Sequence, residues 1–340
     1  MNPAEPLRPV GVAVVGTGGV AALHLSALAR DAGARLVGVC DVVAARAREA
    51  ARDAGEDVLC TDRLEDLLAW PDAEAIVVCT PNDTHASIGG RVLAAGRHLL
   101  MEKPLAIDLA GADALIEAAT RAGVVLMPGQ THRFYDLGRR LREVVDSGAI
   151  GRATYARSSL HAGWIWGGWG SWVLDPARSG GHVVHNGVHG LDLVTWWLGQ
   201  EPAEVMARGV HGTSGALRIW DHFAVHVRYR DGAVATVEVS RATRPRSIVL
   251  RESVVAGTDG VARQAPVAGG GLLLDEAGAV PLGFDAQVGF DRQVAAFLAA
   301  VREGGPPQVS AIDGRRALAM ALAAERSLVT GRPVRVARAP

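Results

Sequence analysis

Residues Val10 to His24 read VGVAVVGTGGVAALH, and no other stretch constrains the fold of this chain as tightly. A short apolar run, Val10 to Val15, enters a glycine turn at Gly16, Gly18 and Gly19. Val20, Leu23, Ala27 and Leu28 come after it at the spacing of one buried helical face. Strand, tight glycine turn and helix are the context in which G-x-G-x-x-G/A reads as a dinucleotide-binding turn. Gly16 makes the turn, Gly18 lets the backbone approach a pyrophosphate, and Ala21 takes the third position, where a small residue lets helix and strand pack closely. The pattern alone is weak in a chain with 41 glycines, because an ordinary strand-to-helix turn has the same appearance.

The segments between Arg35 and Met127 strengthen it. Arg35 to Cys40, Val58 to Cys60, Ala75 to Cys79, His98 to Met101 and Val124 to Met127 read as strands. The stretches 44–54, 64–69, 85–95 and 105–122 between them read as helices. Strands alternating with helices predict a doubly wound parallel sheet, an α/β Rossmann arrangement, over residues 1–128. Asp41 closes the second strand 23 residues after Gly18. A carboxylate there, roughly 20 residues on, accepts hydrogen bonds from an adenosine ribose and repels a 2′-phosphate. Val42 and Val43 supply no cation to hold such a phosphate, so NAD is expected over NADP, although Arg46 lies one helical turn away.

Two further strand ends, Thr80-Pro81-Asn82 and Glu102-Lys103-Pro104, have proline forcing the preceding residue away from helical geometry. Pro104 also suits the first position of a helix. Lys103 then sits at the carboxyl edge of the sheet, where open α/β sheets bind ligands. Read by itself it is an ordinary surface lysine.

Beyond Pro128 the pattern changes. A helix is expected over Leu137 to Asp146, then β-leaning runs at 153–160, 205–210, 222–229, 234–239 and 248–255, with Asp231-Gly232 as a hairpin signal. Residues 129–340 are therefore expected to form an α+β domain with an open-faced, mainly antiparallel sheet. The stretch from Gly257 to Gly283 reads as loop and hairpin, and helices are expected after it at 290–303 and 312–329.

Within 180–199, GGHVVHNGVHGLDLVTWWLG, His182, His185, His189 and Asp192 step by 3, 4 and 3, the spacing of one helical stripe. Structural histidines, a metal site and general acid/base catalysis all fit that spacing, but it matches no zinc signature, and no metal is expected. Upstream, Trp164, Trp166, Trp169 and Trp172 place half of the chain's eight tryptophans in one glycine-rich loop. Flat rigid faces there suit a sugar-like ligand, and equally a subunit contact or loop packing.

Composition excludes several partners. A net charge of −1 and a pI near 6.8 give no global pull toward nucleic acid or an anionic membrane. No apolar run approaches the roughly 18 residues of a membrane helix, and the start MNPAEPLRP lacks the marks of a signal peptide. Three unpaired cysteines, Cys40, Cys60 and Cys79, fit a reducing, cytoplasmic setting.

These pieces, in this order, resemble the Gfo/Idh/MocA oxidoreductases, the family of glucose-fructose oxidoreductase and inositol dehydrogenase. The resemblance spans nearly the whole chain. It rests on GTGGVAALH at 16–24, Asp41, TPN at 80–82, EKP at 102–104, HRF at 132–134, SGAIG at 147–151 and SGGHVVHNGVHGLDLVTWWLG at 179–199. It implies an NAD-dependent dehydrogenase of a sugar, polyol or cyclitol, with its active site between the two domains. Cofactor contacts are expected from Gly16, Thr17, Gly18, Gly19, Val20, Asp41, Thr80, Pro81, Asn82, His85, Glu102 and Lys103. Lys103 matches the family's catalytic lysine and His189 its catalytic histidine. Where the family often carries Asp, four residues before that histidine, this chain has His185. The proton relay therefore departs from the common pattern, with Asn186 and Asp192 as partial replacements. Substrate contacts are expected from Lys103, Arg133, Trp164, Trp166, Trp172, His185, Asn186 and His189, and a homodimer or homotetramer is implied. The resemblance also covers keto-sugar reductases acting on nucleotide-linked sugars, enzymes that oxidise glycosides transiently on a bound NAD, and non-catalytic NAD- or sugar-binding regulators.

Overall fold

The computed structural model describes residues 8–52, 57–163, 172–211, 219–243, 249–264, 266–267, 270–275, 278–282 and 285–339. Trp164, Trp166 and Trp169 lie outside the described residues. The first layer runs β1 (Val10–Val15), α1 (Ala21–Arg30), β2 (Ala34–Cys40), α2 (Ala44–Ala50), β3 (Leu59–Thr61), α3 (Leu64–Ala69), β4 (Ala75–Val78), α4 (His85–Ala94), β5 (His98–Glu102), α5 (Leu109–Ala122) and β6 (Leu126–Gly129). The six strands pair in parallel in the order β3-β2-β1-β4-β5-β6. All six residues of β1 and all four of β4 are buried, as strands covered on both faces by helices must be. The chain reverses outward from β1, so the carboxyl ends of β1 and β4 meet at the point where strand order changes direction, the place where such sheets hold ligands.

One helix start differs from the sequence reading. The segment 105–122 is helical only from Leu109, because the Asp108 carboxylate accepts a hydrogen bond from Gly111 N at 2.7 Å and caps the helix there. Pro104 is preceded by a cis peptide and does not open the helix.

The second layer comprises α6 (Asp136–Asp146), β7 (Ala153–Gly163), α7 (Pro176–Ser179), a π-helical turn at Val183–Gly187, α8 (Val188–Leu198), β8 (Pro202–Val210), β9 (His222–Tyr229), β10 (Val234–Thr243), β11 (Val249–Gly257) and β12 (Val261–Gln264). Three strands, β13 (Pro266–Val267), β14 (Gly270–Asp275) and β15 (Gly278–Leu282), form a small separate sheet within the stretch read as loop and hairpin. Then come α9 (Ala286–Glu303), α10 (Ala311–Thr330) and β16 (Val334–Arg335). The main sheet has the order β12-β11-β7-β10-β9-β8-β16 and is antiparallel except where β10 runs parallel to β7. Phe223, Val225, Val227 and Tyr229 alternate inward along β9 as expected. They pack in one core with Leu191, Val194 and Trp197 of α8 and Leu318 of α10. The opposite face carries ion pairs such as Arg157–Glu238 and Arg263–Glu252 and stays open.

The core is not divided at 128/129. From the C-terminal part of the chain, α9 returns to the first layer, where Phe290, Val294, Phe297 and Leu298 pack with β1 and α1. Local periodicity shows that α9 has an apolar face but not which sheet covers it. Truncating Phe297, which is fully buried, to Ala is expected to cost about 3–5 kcal/mol of stability. The shift in the urea midpoint of the full chain checks this.

Candidate active site

The carboxyl ends of β1, β2, β4 and β5 deliver most of the residues expected at the cofactor. Gly16 has φ +84°, and a Cβ there would lie 2.8 Å from the Cys79 carbonyl oxygen, so the turn that carries the chain over the sheet edge requires glycine. A Cβ at Gly18 or Gly19 would meet nothing within 4 Å, which leaves the backbone open to a close ligand. Helix α1 begins without a side-chain cap, and its N-terminal end, where the helix dipole favours an anion, stands at this edge. Thr17 donates its N–H and its hydroxyl to one Asp41 oxygen at 2.9 and 3.0 Å, and Val43 N–H donates to the other at 2.9 Å. Burial opposes ionisation of Asp41, but these hydrogen bonds outweigh it and hold the carboxyl below its usual range. Val42 is 89% exposed and brings no cation to this edge, where the charge of Arg46 also favours the ionised Asp41. An ionised carboxylate beside an open glycine turn and an uncapped helix fits a dinucleotide with a free 2′-hydroxyl.

Beneath that edge, Glu102 is buried. It takes His24 Nε2 at 2.8 Å and the Lys103 N–H at 3.1 Å, which hold it ionised against its burial. Glu102 thus acts below the cofactor edge, tying α1 to the strand that presents Lys103. His85, also expected at the cofactor, is fully buried. Its ring nitrogens lie 2.6 Å from the Pro104 carbonyl oxygen and 3.0 Å from that of Thr80, so it braces the two proline loops. Lys103 is the half-buried residue between buried Glu102 and Pro104. Its Nζ donates to the His185 main-chain oxygen at 2.9 Å, and burial brings the ammonium down to about 8.

The segment 181–195 is buried throughout except at His185 and His189. The 3-4-3 stripe is broken, because the π turn, with its Val188 N–H to Val183 O bond, inserts a wide turn before α8. Its four members go to different places. His182 Nδ1 binds the Trp220 carbonyl oxygen. His185 Nδ1 accepts from the Asn82 amide at 3.2 Å, and the same amide donates to Ser179 O at 2.8 Å. Its ring meets the edge of Trp172. His189 stacks on His132 at 4.0 Å with 7° between the rings. Asp192 holds Arg133 in a bidentate pair at 2.6 and 2.7 Å. Burial, with neighbouring positive charge, pushes His185 and His189 well below the ordinary histidine range, so both are neutral at pH 7.

Two expectations are corrected by these contacts. Arg133 does not face a substrate: its guanidinium is buried between Asp192 and Asp313. Asp192 is consequently occupied and does not orient His189. Asn186 borders a pocket with His132, His189, Ser158, Glu238 and Arg251, and its Nδ2 is buried without a partner. Sequence reasoning missed four contributors: His24, His132, Arg251 and Glu325. Glu325, on α10, accepts the Val183 N–H at 2.8 Å at the start of the π turn and is pushed up to about 7 by burial. His24 and His132 lie within the stretches 16–24 and 132–134 that carry the resemblance, but nothing local assigns them partners on other elements, and nothing local marks Arg251 or Glu325. Among the described residues, no group of three or more His, Cys, Asp or Glu side chains is arranged to hold a metal ion.

A parallel dinucleotide edge, facing histidines carried by a second sheet domain, defines a nicotinamide-dependent oxidoreductase. Residues 10–130 match the model of the oxidoreductase family with an NAD-binding Rossmann fold, and residues 139–263 match the GFO/IDH/MocA C-terminal domain. The chain belongs to the GFO/IDH/MocA family and is an NAD-dependent oxidoreductase of that family. It is 30% identical over 280 residues to a 1,5-anhydro-D-fructose reductase of Ensifer adhaerens, covering 80% of this chain and 83% of that protein. It is 29% identical over 292 residues to a myo-inositol 2-dehydrogenase of Thermotoga maritima, covering 80% and 82%. Among solved structures, GenD2 from gentamicin A biosynthesis, in complex with NAD, superposes with a TM-score of 0.85 at 27% identity, covering 97% of each chain.

Replacing Asp192 by Asn removes one carboxylate from a buried ion pair and is expected to destabilise the fold by about 3–5 kcal/mol, read by chemical denaturation. A loss below ~1 kcal/mol would show that Asp313 alone satisfies Arg133.

Proposed function

We propose that the protein oxidises a secondary alcohol of a sugar, polyol or cyclitol, reversibly, with Lys103 and His189 as the groups that act on the reacting oxygen. The observation that carries this is the approach of the half-buried Lys103 to the half-buried histidine pair, through the Lys103 Nζ–His185 O bond, at the carboxyl edge of the cofactor sheet. The nicotinamide, when bound there, supplies the hydride acceptor. Gly16, Thr17, Gly18, Gly19, Val20 and Asp41 hold the adenosine and pyrophosphate end, and Thr80, Pro81 and Asn82 border the reactive end.

The ammonium of Lys103 carries three hydrogens, of which His185 O takes one. The others are available to the substrate oxygen, where they stabilise charge as it develops. His189, neutral through burial, has a lone pair with which to accept the hydroxyl proton. His185 has a different task from a carboxylate. Because the Asn82 amide donates to its Nδ1, its proton sits on Nε2, and it is a neutral donor suited to a neighbouring substrate hydroxyl. Trp172, edge-on to His185, closes that side. A homodimer or homotetramer built through the open sheet face, and a cytoplasmic setting, belong to the same proposal. Among the described residues no helix is long and apolar enough to cross a membrane.

The test is a screen of cyclitols, aldoses and glycosides with NAD and NADP separately, following reduced cofactor. Oxidation with NAD is expected, and absence of reduction with every class would overturn the reading. Lys103→Met is expected to keep NAD affinity and lower kcat by roughly a hundredfold or more, measured by stopped assay and cofactor titration. Near-normal turnover would remove Lys103 from the chemistry. The pH profile is set by the lysine. Its pKa is depressed, the protonated form is the useful one, and so kcat/KM is expected to fall as pH rises through about 8. Lys103→Arg should carry that limb upward.

A further inference from the structure

The second sheet sends two arginines toward the same cleft. β7 lies between β10 and β11, and both Val239 and Arg251 stand opposite Leu160, on the face that packs under α8. Arg251 lines the pocket with His132, Asn186 and His189. Arg241 comes from the other side of β7, at the irregularity between Ser240 and Thr243 where a strand re-aims its side chains. The acidic residues of these strands are paired with other arginines, although Glu238 also borders the pocket. Glu238 is held on the open face by Arg157 at 2.7 Å, and Glu252 by Arg263 at 2.9 Å.

The carboxylate beside Lys103, Glu102, is already engaged with His24. Among the described residues no carboxylate pairs with Arg241, and its Nε is buried without a hydrogen-bond partner. Burial, then the like charge of Arg251, brings Arg241 down to about 10, and Arg241 in turn depresses Lys103, His132, His185 and His189. Three cations therefore converge on one cleft whose histidines are neutral, in a chain whose net charge is only −1. A partly desolvated guanidinium without a counter-ion among the described residues, as at Arg241, is unfavourable, and a ligand that brings an opposite charge relieves the cost.

We propose that the substrate carries an anionic substituent, a carboxylate or a phosphate, which Arg241 and Arg251 hold while Lys103 and His189 act on a neighbouring carbinol. This deepens the dehydrogenase reading and rests on it for the chemistry, though not for the charge. A guanidinium pair offers planar, bidentate donors to either anion. A neutral cyclitol leaves Arg241 uncompensated, and an amino sugar is repelled.

The experiment measures binding of paired sugars to the NAD-loaded full chain by calorimetry: uronates and aldonates, sugar phosphates, and the neutral parent of each. The best charged sugar is expected to bind roughly tenfold or more tighter than its parent, with a preference that shrinks as salt is added. Preference for the carboxylate series or for the phosphate series identifies the anion. Arg241→Gln should abolish the preference, Arg241→Lys should retain part of it, and Arg251→Gln gives an independent variant if Arg241→Gln fails to fold. Equal binding of charged and neutral sugars by the wild type overturns the proposal, as does a preference that survives both glutamine variants. Turnover separates the two readings. Oxidation of neutral and charged sugars alike with equal affinity keeps the dehydrogenase and removes the anchor. An anion preference without oxidation of any sugar keeps the anchor and removes the dehydrogenase.

Discussion

The hydrogen bond from the Lys103 ammonium to the His185 main-chain oxygen is the contact on which the site depends. It joins the carboxyl edge of the parallel sheet to the helix of the second domain. Everything around it serves to keep both ends in place. On one side, Glu102 holds the Lys103 N–H and His85 spans the Thr80 and Pro104 carbonyls. On the other, Glu325 takes the Val183 N–H and Asn82 takes the His185 ring. The lysine thereby gains a fixed acceptor that carries no full charge, and burial, with the charge of Arg241 and against that of Glu102, brings it down to about 8.

At this position, where the resemblance led to the expectation of a carboxylate, the arrangement gives the histidine two tasks. The π turn directs the His185 carbonyl to Lys103 while its imidazole goes to Asn82. One residue therefore serves the lysine with its backbone and offers a ring N–H to the cleft. The charge that a carboxylate would have supplied is missing, and Arg241 and Arg251 deepen the positive character of the site. Buried ionic groups elsewhere are matched with care. Arg133 is bracketed by Asp192 and Asp313, and this pairing ties the chain after β6 to α8 and α10 without entering the reaction.

The cofactor edge was legible in the sequence because its parts are local. A glycine turn after an apolar strand and an acid at the next strand end are tied to short-range backbone geometry, and Gly16 and Asp41 stand where that geometry puts them. Lys103 and His189 were singled out through family resemblance, not through spacing. The 3-4-3 stripe shows why spacing was insufficient: it assumed an unbroken α-helix, and one wide turn sent His182, His185, His189 and Asp192 to four partners. Arg133 and Asp192 were misread for a related reason. A polar residue next to a motif looks available until its partners are known, and those partners lie on other elements, 59 positions away for Asp192.

The sequence by itself determined the parallel sheet, the glycine turn at its edge and the acid at the end of the second strand, because each rests on periodicity or on residues close along the chain, and the class of oxidoreductase followed from the resemblance. Only the tertiary structure decided which histidines open to the cleft, what the Arg133 guanidinium holds, where α9 packs, and that Arg241 approaches Lys103 while Arg251 lines the pocket of His189. Strands β10 and β11 are brought to either side of β7 by sheet order, and sheet order is set by burial of faces that no local pattern distinguishes. The charge a ligand meets in this cleft is accordingly a property of the fold, invisible in a chain whose charges nearly cancel.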